Sequence, residues 1–211
     1  MVSSDVAFSP AVKEVQRRRG SRRAYERVEE GGGWRTEVDA ELAAFIAAQT
    51  SCFLGTASAG GQPYIQHRGG PPGFLRVLDP TTLAFADYRG NRQYITTGNL
   101  GENPRVQLFL IDYARRQRVK IWGEAHVIED DAAFIASLMP PDGGARAEQA
   151  IVISVAAWDR NCPQHIPQRF DADAVAAALA ERDAKITALE EELRRLRCAL
   201  PSGIAVETIR P

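Results

Sequence analysis

The spacing of apolar positions changes repeatedly along the chain, and each change predicts a different element. Phe8-Ser9-Pro10 reads as a hydrophobic staple residue, an N-cap and a first-turn proline, opening a helix through about Arg18. Gly31-Gly32-Gly33 then breaks the chain. Leu42, Phe45 and Ile46 recur at helical spacing behind the acidic Glu37, Asp39 and Glu41, which predicts a second helix from about Val38 to Ala48. From Ser51 the period falls to two. SCFLGTASAGGQPYIQHRG (51–69) contains two extended runs around Ala59-Gly60-Gly61, the signature of a β-hairpin. TTLAFADY (81–88), RVQLFLIDY (105–113), RVKIWGEAHVIE (118–129) and AIVISVAAW (150–158) read as further strands, with Pro, Gly, Asn and Asp in the turns. Five or six β-rich runs with short connections suggest an antiparallel barrel rather than a βαβ sheet, with 131–138 as a short helix crossing over it.

The last segment has a heptad period. Val175, Arg182, Leu189 and Leu196 form one column, and Leu179, Ile186, Leu193 and Leu200 the other. Glu181/Lys185, Glu190/Arg194 and Glu191/Arg195 support the helix at i,i+4. Such a helix extends about 42 Å, longer than a barrel of this size needs for cover, so pairing with another chain is expected. Arg182 is the weak spot of the seam. The chain thus divides into an N-terminal helical arm (1–37), a barrel (38–170), a coiled-coil-like helix (171–200) and a tail (201–211).

Composition narrows the function classes. With 211 residues, 45% apolar and 25% charged, the chain can bury a real core. A net charge of −1 gives no overall field toward nucleic acid or an anionic membrane. The basic run KEVQRRRGSRRAYER (13–27) has one aromatic, Tyr25, for base stacking, so a solvated helix, or an arm lying on the acidic surface of its own dimer, is expected there rather than a nucleic-acid arm. Apolar runs fall far short of the roughly 20 residues that span a bilayer, and no apolar signal core follows a basic start. The expected location is cytoplasmic. Cys52, Cys162 and Cys198 are scattered, which fits reduced thiols. Cys162 and His165 lack the paired spacing that zinc needs, and no metal site is expected.

Four cations stand at strand ends or on one strand face. Arg68 lies in HRGGPPGFL, Arg92 in GNRQYITTGNL, and Arg118 and Lys120 alternate with Val119 and Ile121. Guanidinium groups suit phosphate oxygens and are costly to bury without an anion. GNRQYITTG lacks the GxxxxGK[ST] spacing of a nucleotide-triphosphate loop, and no GxGxxG is present. Spacing alone leaves solvated cations and a phosphate pocket both open.

The order of FLGTASAGGQPYIQHRG, LAFADYRGNRQYITTGNLGENPRVQLFLIDY and RVKIWGEAHV resembles the pyridoxamine 5'-phosphate oxidase-like FMN-binding split barrels. The likeness spans about residues 40 to 170. It implies a mainly β (α+β) fold, an antiparallel split β-barrel with flanking helices, here followed by the long C-terminal helix. It also implies FMN held between the subunits of a homodimer. Carried over by position, Gln66, His67 and Arg68 match the flavin-lining strand, and Ala86 and Asp87 the strand end beside the ring and ribityl chain. Asn91 and Arg92 match the phosphate-binding residues, with Arg118 and Lys120 on the neighbouring strand. Thr96, Thr97 and Gly98 are left as connector. Trp158, His165 and Arg169 could fill places that reach the partner's flavin and substrate, but Gln164-His165-Ile166 departs from the oxidase's Arg-Leu-His run. Pyridoxamine phosphate is therefore not the expected substrate.

The function implied is hydride transfer between flavin and an unidentified small substrate, with NADH or NADPH as a possible donor and no dedicated catalytic residue assigned. Haem or deazaflavin in the same barrel type stays open. The alternative is a non-catalytic flavin carrier or sensor acting through its C-terminal helix.

Overall fold

The period-two segments become strands of one antiparallel sheet in the computed structural model, which describes residues 2–140, 146–161 and 163–199. Strands β1 (Ser51–Ala57) and β2 (Pro63–Gly69) form the first hairpin, with Leu54 opposite Gln66. Strands β3 (Arg76–Asp79) and β4 (Thr82–Tyr88) form a second, and β5 (Arg105–Asp112) and β6 (Gln117–Ile128) a third. Strand β7 (Ala147–Asn161) runs between β6 and β4, giving the order β2-β1-β5-β6-β7-β4-β3. The seventh strand beyond the sequence expectation is β3. Its four residues are too short to show a period, and a tight turn at Asp79, whose carboxylate accepts from Thr81 N at 2.8 Å, fixes it instead.

Alternation on each strand separates a core face from an outer face. Cys52, Leu54 and Thr56 of β1 are buried, whereas Phe53 and Gly55 are only half so. Leu54, Leu108, Leu110, Val119, Ile121, Ile151 and Ile153 are fully enclosed. Each such side chain contributes roughly 1.5–3 kcal/mol of burial before chain entropy is subtracted. Strands β2 and β3 are the sheet's edges. Side chains rather than a ladder bring β2 to β4, because Arg68 of β2 ion-pairs with Asp87 of β4. The barrel is split along that line.

Helices cover what the sheet leaves open. The sequence-predicted second helix is α3 (Ala40–Ala47 in chain order), capped by Asp39, which accepts from Leu42 N at 2.8 Å, and it buries Leu42, Phe45 and Ile46. Helix α4 (Ile95–Glu102) follows β4, buries Leu100 and donates from Asn99 to the Thr56 hydroxyl at 2.9 Å. Helix α5 (Ala132–Ser137), capped by Asp131, packs Ile135 over Ala84, Ala86, Ala150 and Val152.

The basic run forms two helices, α1 (Pro10–Arg19) and α2 (Arg22–Glu30), because Gly20 adopts φ 78 and ends the first. Its cations Lys13 and Arg22 are matched within the arm: Lys13 binds Asp5 at 2.6 Å and Glu29 at 3.1 Å, and Arg22 binds Gln16 at 2.8 Å and Glu26 at 3.2 Å and also pairs with Glu29. Phe8 packs edge-on against Tyr25 and Trp34. Trp34 in turn stacks on Trp122 of β6 at 4.7 Å. At Gly123 a β-bulge brings β6 against β7, and any Cβ there would collide with the Ser154 carbonyl oxygen.

Two compact units divide between Pro167 and Gln168. The second holds helix α6 (Ala172–Ala199), 28 residues long, every described residue of it exposed. Leu200, the last member of its column, and the tail lie outside the described residues, as does Cys162. No described helix is long and apolar enough to cross a membrane.

Candidate functional site

Period two puts Tyr64, Gln66 and Arg68 of β2 on the face that looks into the split of the barrel. They line a cleft whose opposite wall is Asp87 at the end of β4 and Gln149 at the start of β7, adjacent in the ladder. A network crosses it. Arg68 donates to Asp87, the Gln149 amide donates to Asp87 at 2.8 Å and to Thr97 at 2.9 Å, and the Thr96 hydroxyl donates to Gln66 at 2.8 Å. Arg68, Asp87 and Gln149 are largely buried, so each needs the others. The Arg68 Nε is left buried with no hydrogen-bond partner among the described residues.

The mouth of the cleft is the loop GNRQY before α4. Arg92 and Tyr94 adopt φ 61 and 51, a left-handed backbone that non-glycine residues avoid, and the Asn91 side chain accepts from Gln93 N at 3.3 Å. Tyr94 occupies the N-cap position of α4 without a side-chain cap, and the first residues of that helix, Ile95, Thr96 and Thr97, line the cleft. Arg92 donates to the Tyr94 hydroxyl at 3.1 Å, and that hydroxyl donates to Glu148 at 3.2 Å. Glu148 also pairs with Arg89 at 3.2 Å. Arg68 is thus ion-paired to Asp87 and Arg89 to Glu148, whereas Arg92 has no carboxylate within ion-pair distance among the described residues.

The residues expected from the sequence divide accordingly. Gln66, Arg68, Asp87, Asn91 and Arg92 come together in the cleft. His67 points the other way, edge-on to Phe53 at 5.7 Å on the outer face. Lys120 shares that face, since the ladder runs His67, Phe53, Phe109, Lys120 across β2, β1, β5 and β6. Arg118 lies two residues along the same face of β6, its Nε buried and unpartnered among the described residues, and Lys120 sits over the Trp122 ring at 5.8 Å. Ala86 faces α5. Trp158 is a core residue whose indole donates to the Glu37 carbonyl at 2.8 Å. His165 stands in an exposed turn at φ 64, and Arg169 belongs to the second unit.

Thr96 and Thr97 are not connector: their hydroxyls tie α4 to β2 and to β7. Tyr64 was legible from its spacing with Gln66 and Arg68. Gln149 and Glu148 had no local signal, because they reach the cleft only through the pairing of β7 with β4. Cys52 lies opposite Arg68 in the ladder, but burial, opposed by the Arg68 charge, pushes its thiol up to about 12, which makes it inert at neutral pH.

The chain matches the pyridoxamine 5'-phosphate oxidase family over residues 38–162, more than half of its length. No curated protein sequence matches it at a significant level. Among solved structures it is similar to HupZ of Group A Streptococcus, at 19% identity and a TM-score of 0.49, over 63% of this chain and 99% of that one. An FMN-binding protein from Syntrophomonas wolfei subsp. wolfei aligns at 13% identity and a TM-score of 0.46, over 71% of this chain and 96% of the other. General Stress Protein 26 from Bacillus anthracis str. Sterne aligns at 16% identity and a TM-score of 0.44, over 57% and 91%.

Proposed function

The chain belongs to the pyridoxamine 5'-phosphate oxidase family, and on that premise we propose that it is a homodimeric FMN-binding oxidoreductase acting on a small substrate. Family membership supports FMN as the cofactor. The observation that carries the reading is the cleft mouth, where a strained Asn91-Arg92 loop opens onto the uncapped start of α4. Phosphate needs a cation and several donors, and Arg92, Asn91 and the first amides of α4 would supply them. Deeper in, the orphaned Arg68 Nε fits the polar edge of a flavin ring, which offers acceptors. Asp87 and Gln149 fix the Arg68 guanidinium so that this donor is held in one orientation.

When bound, the flavin supplies the hydride chemistry, and the protein supplies orientation and electrostatics. The cleft encloses about 70 Å³ in a single chain, against roughly 300–1,000 Å³ for ordinary ligand sites. That shortfall supports a site completed by a second copy. His67, Arg118 and Lys120, on the outer face, are suited to meet it.

Purified protein should be yellow, with a flavin absorbance spectrum, and should bind FMN in a calorimeter; a colourless protein that binds no FMN sinks the reading. Arg92→Ala should weaken FMN by about 10- to 100-fold, the worth of one hydrogen bond to a charged group, and leave riboflavin almost unaffected. Equal losses for both ligands would remove Arg92 from the phosphate. A second reading, a carrier or sensor without turnover, is favoured by the exposed heptad helix. Anaerobic mixing with NADH or NADPH separates the two: bleaching of the flavin supports redox work, and its persistence with every donor supports the carrier.

A further inference from the structure

Helix α6 holds Val175, Leu179, Ile186, Leu189, Leu193 and Leu196, each between 44% and 58% exposed. With Arg182 between Leu179 and Ile186, the spacing alternates four and three and makes them one stripe along the helix. Helices of this kind draw most of their stability from packing an apolar face, and a long stripe in water is the form of an interaction surface. Which partner it fits can be read from the charges beside it.

With Leu179, Ile186 and Leu193 at a, and Val175, Leu189 and Leu196 at d, the flanks are Lys185 and Glu192 at g and Asp183, Glu190 and Arg197 at e. In a parallel pair each g residue faces the e residue five positions on in the other chain. Lys185 then faces the partner's Glu190, and Glu192 faces the partner's Arg197. Both pairs are attractive, and two-fold symmetry makes each twice. Sliding one chain by a heptad sets Lys185 against the partner's Arg197 and Glu190 against the partner's Glu192. In the antiparallel pairing of greatest overlap, e faces e, so Asp183 meets the partner's Glu190 and offsets the attraction of Lys185 for the partner's Glu192. Ile186 at a with Leu189 at d is the combination that suits two parallel strands. Arg182, at d, leaves one charged layer in the seam with the partner's Asp183 beside it, and single polar layers of this sort hold register.

We propose that α6 forms a parallel, in-register two-stranded coiled coil with α6 of a second copy of this chain. The inference goes beyond the flavin reading and stands on α6 alone. Its test uses the full-length chain with Cys198→Ser, so that an introduced thiol is the exposed one on the helix. Leu189→Cys should give a covalent dimer on mild oxidation, because only in-register parallel helices bring residue 189 to its own copy. Glu191→Cys, on the outer f position, should stay uncrosslinked under the same conditions. Absence of the Leu189→Cys crosslink, or equal crosslinking of both variants, overturns the proposal. In the Leu189→Cys background, Glu190→Lys should cut the yield several-fold at low salt, and adding Lys185→Glu should restore it; failure to restore overturns the register. The flavin spectrum of each variant is recorded in parallel. A missing crosslink with the spectrum intact refutes the coiled coil alone, whereas a crosslink in colourless protein leaves it standing and refutes the flavin reading.

Discussion

Arg68 and Arg92 look alike in the sequence, each an arginine at the end of a β-like run, yet their surroundings assign them different work. Arg68 is buried and ion-paired to Asp87, which is itself buried and shared with Gln149. Arg68→Ala leaves that carboxylate without its cation, so stability should fall by about 3 kcal/mol, the cost of breaking a buried pair. Urea unfolding measures it, and FMN and riboflavin should then be lost together. Arg92 is exposed and hydrogen-bonded to a neighbouring hydroxyl. Its replacement by Ala should change stability by no more than about 0.5 kcal/mol while selecting against the phosphate-bearing ligand. The pairing of β2, α4 and β4 thus separates a residue that builds the cleft from one that waits at its mouth.

The strands with strong alternation and the helices with an acidic N-cap were legible, because period and capping are local properties. Asp39 and Asp131 cap the helices expected near 38–48 and 131–138, and α6 carries the heptad positions from Val175 to Leu196. The elements that were not legible owe their form to neighbours. Helix α4 has a weak apolar face, and it is held by Thr96, Asn99 and Leu100 against three strands' worth of barrel. Gly123 is a similar case: it reads as an ordinary strand glycine until β7 approaches it. Gly123→Ala should destabilise the barrel by about 1–3 kcal/mol through forced displacement of β7, seen as a lower urea midpoint with unchanged α-helical circular dichroism in the native baseline. In α6, Arg182→Leu should raise the melting temperature of the helix signal, since it removes the charged layer from the proposed seam; an unchanged or lower value would count against burial at that position.

Across the folded unit, the N-terminal arm is joined to the barrel by Trp34 on Trp122 and by an ion network inside the arm itself. Hydrogen bonds from Lys13 and Val2 hold the Asp5 carboxyl below its ordinary 3.8, and the Arg22 guanidinium, followed by Lys13, holds Glu29 below 4.5. Depressed carboxyl values mean that this stabilisation is fully present above about pH 4.5 and is lost as pH falls through the lowered values. Tryptophan fluorescence from the Trp34–Trp122 stack should therefore change in acid below about pH 4, before the barrel unfolds. A stack that persists until global unfolding would show that the network does not hold the arm.

The pair Asn91-Arg92 was marked out only by its place in the family resemblance; from the order of residues alone came the alternating strands, the helix over 38–48 and the heptad stripe. These follow from interactions among residues a few positions apart. The division of the cations between cleft and outer face, the burial of Trp158, and the entry of Gln149, Thr96 and Thr97 into the cleft did not. Each depends on a strand register set by contacts distant in sequence: β7 against β4 brings Gln149 beside Asp87, and a shift of one residue would turn it to the opposite face. Local pattern fixes which elements form, whereas the burial of one shared core fixes which of their side chains meet.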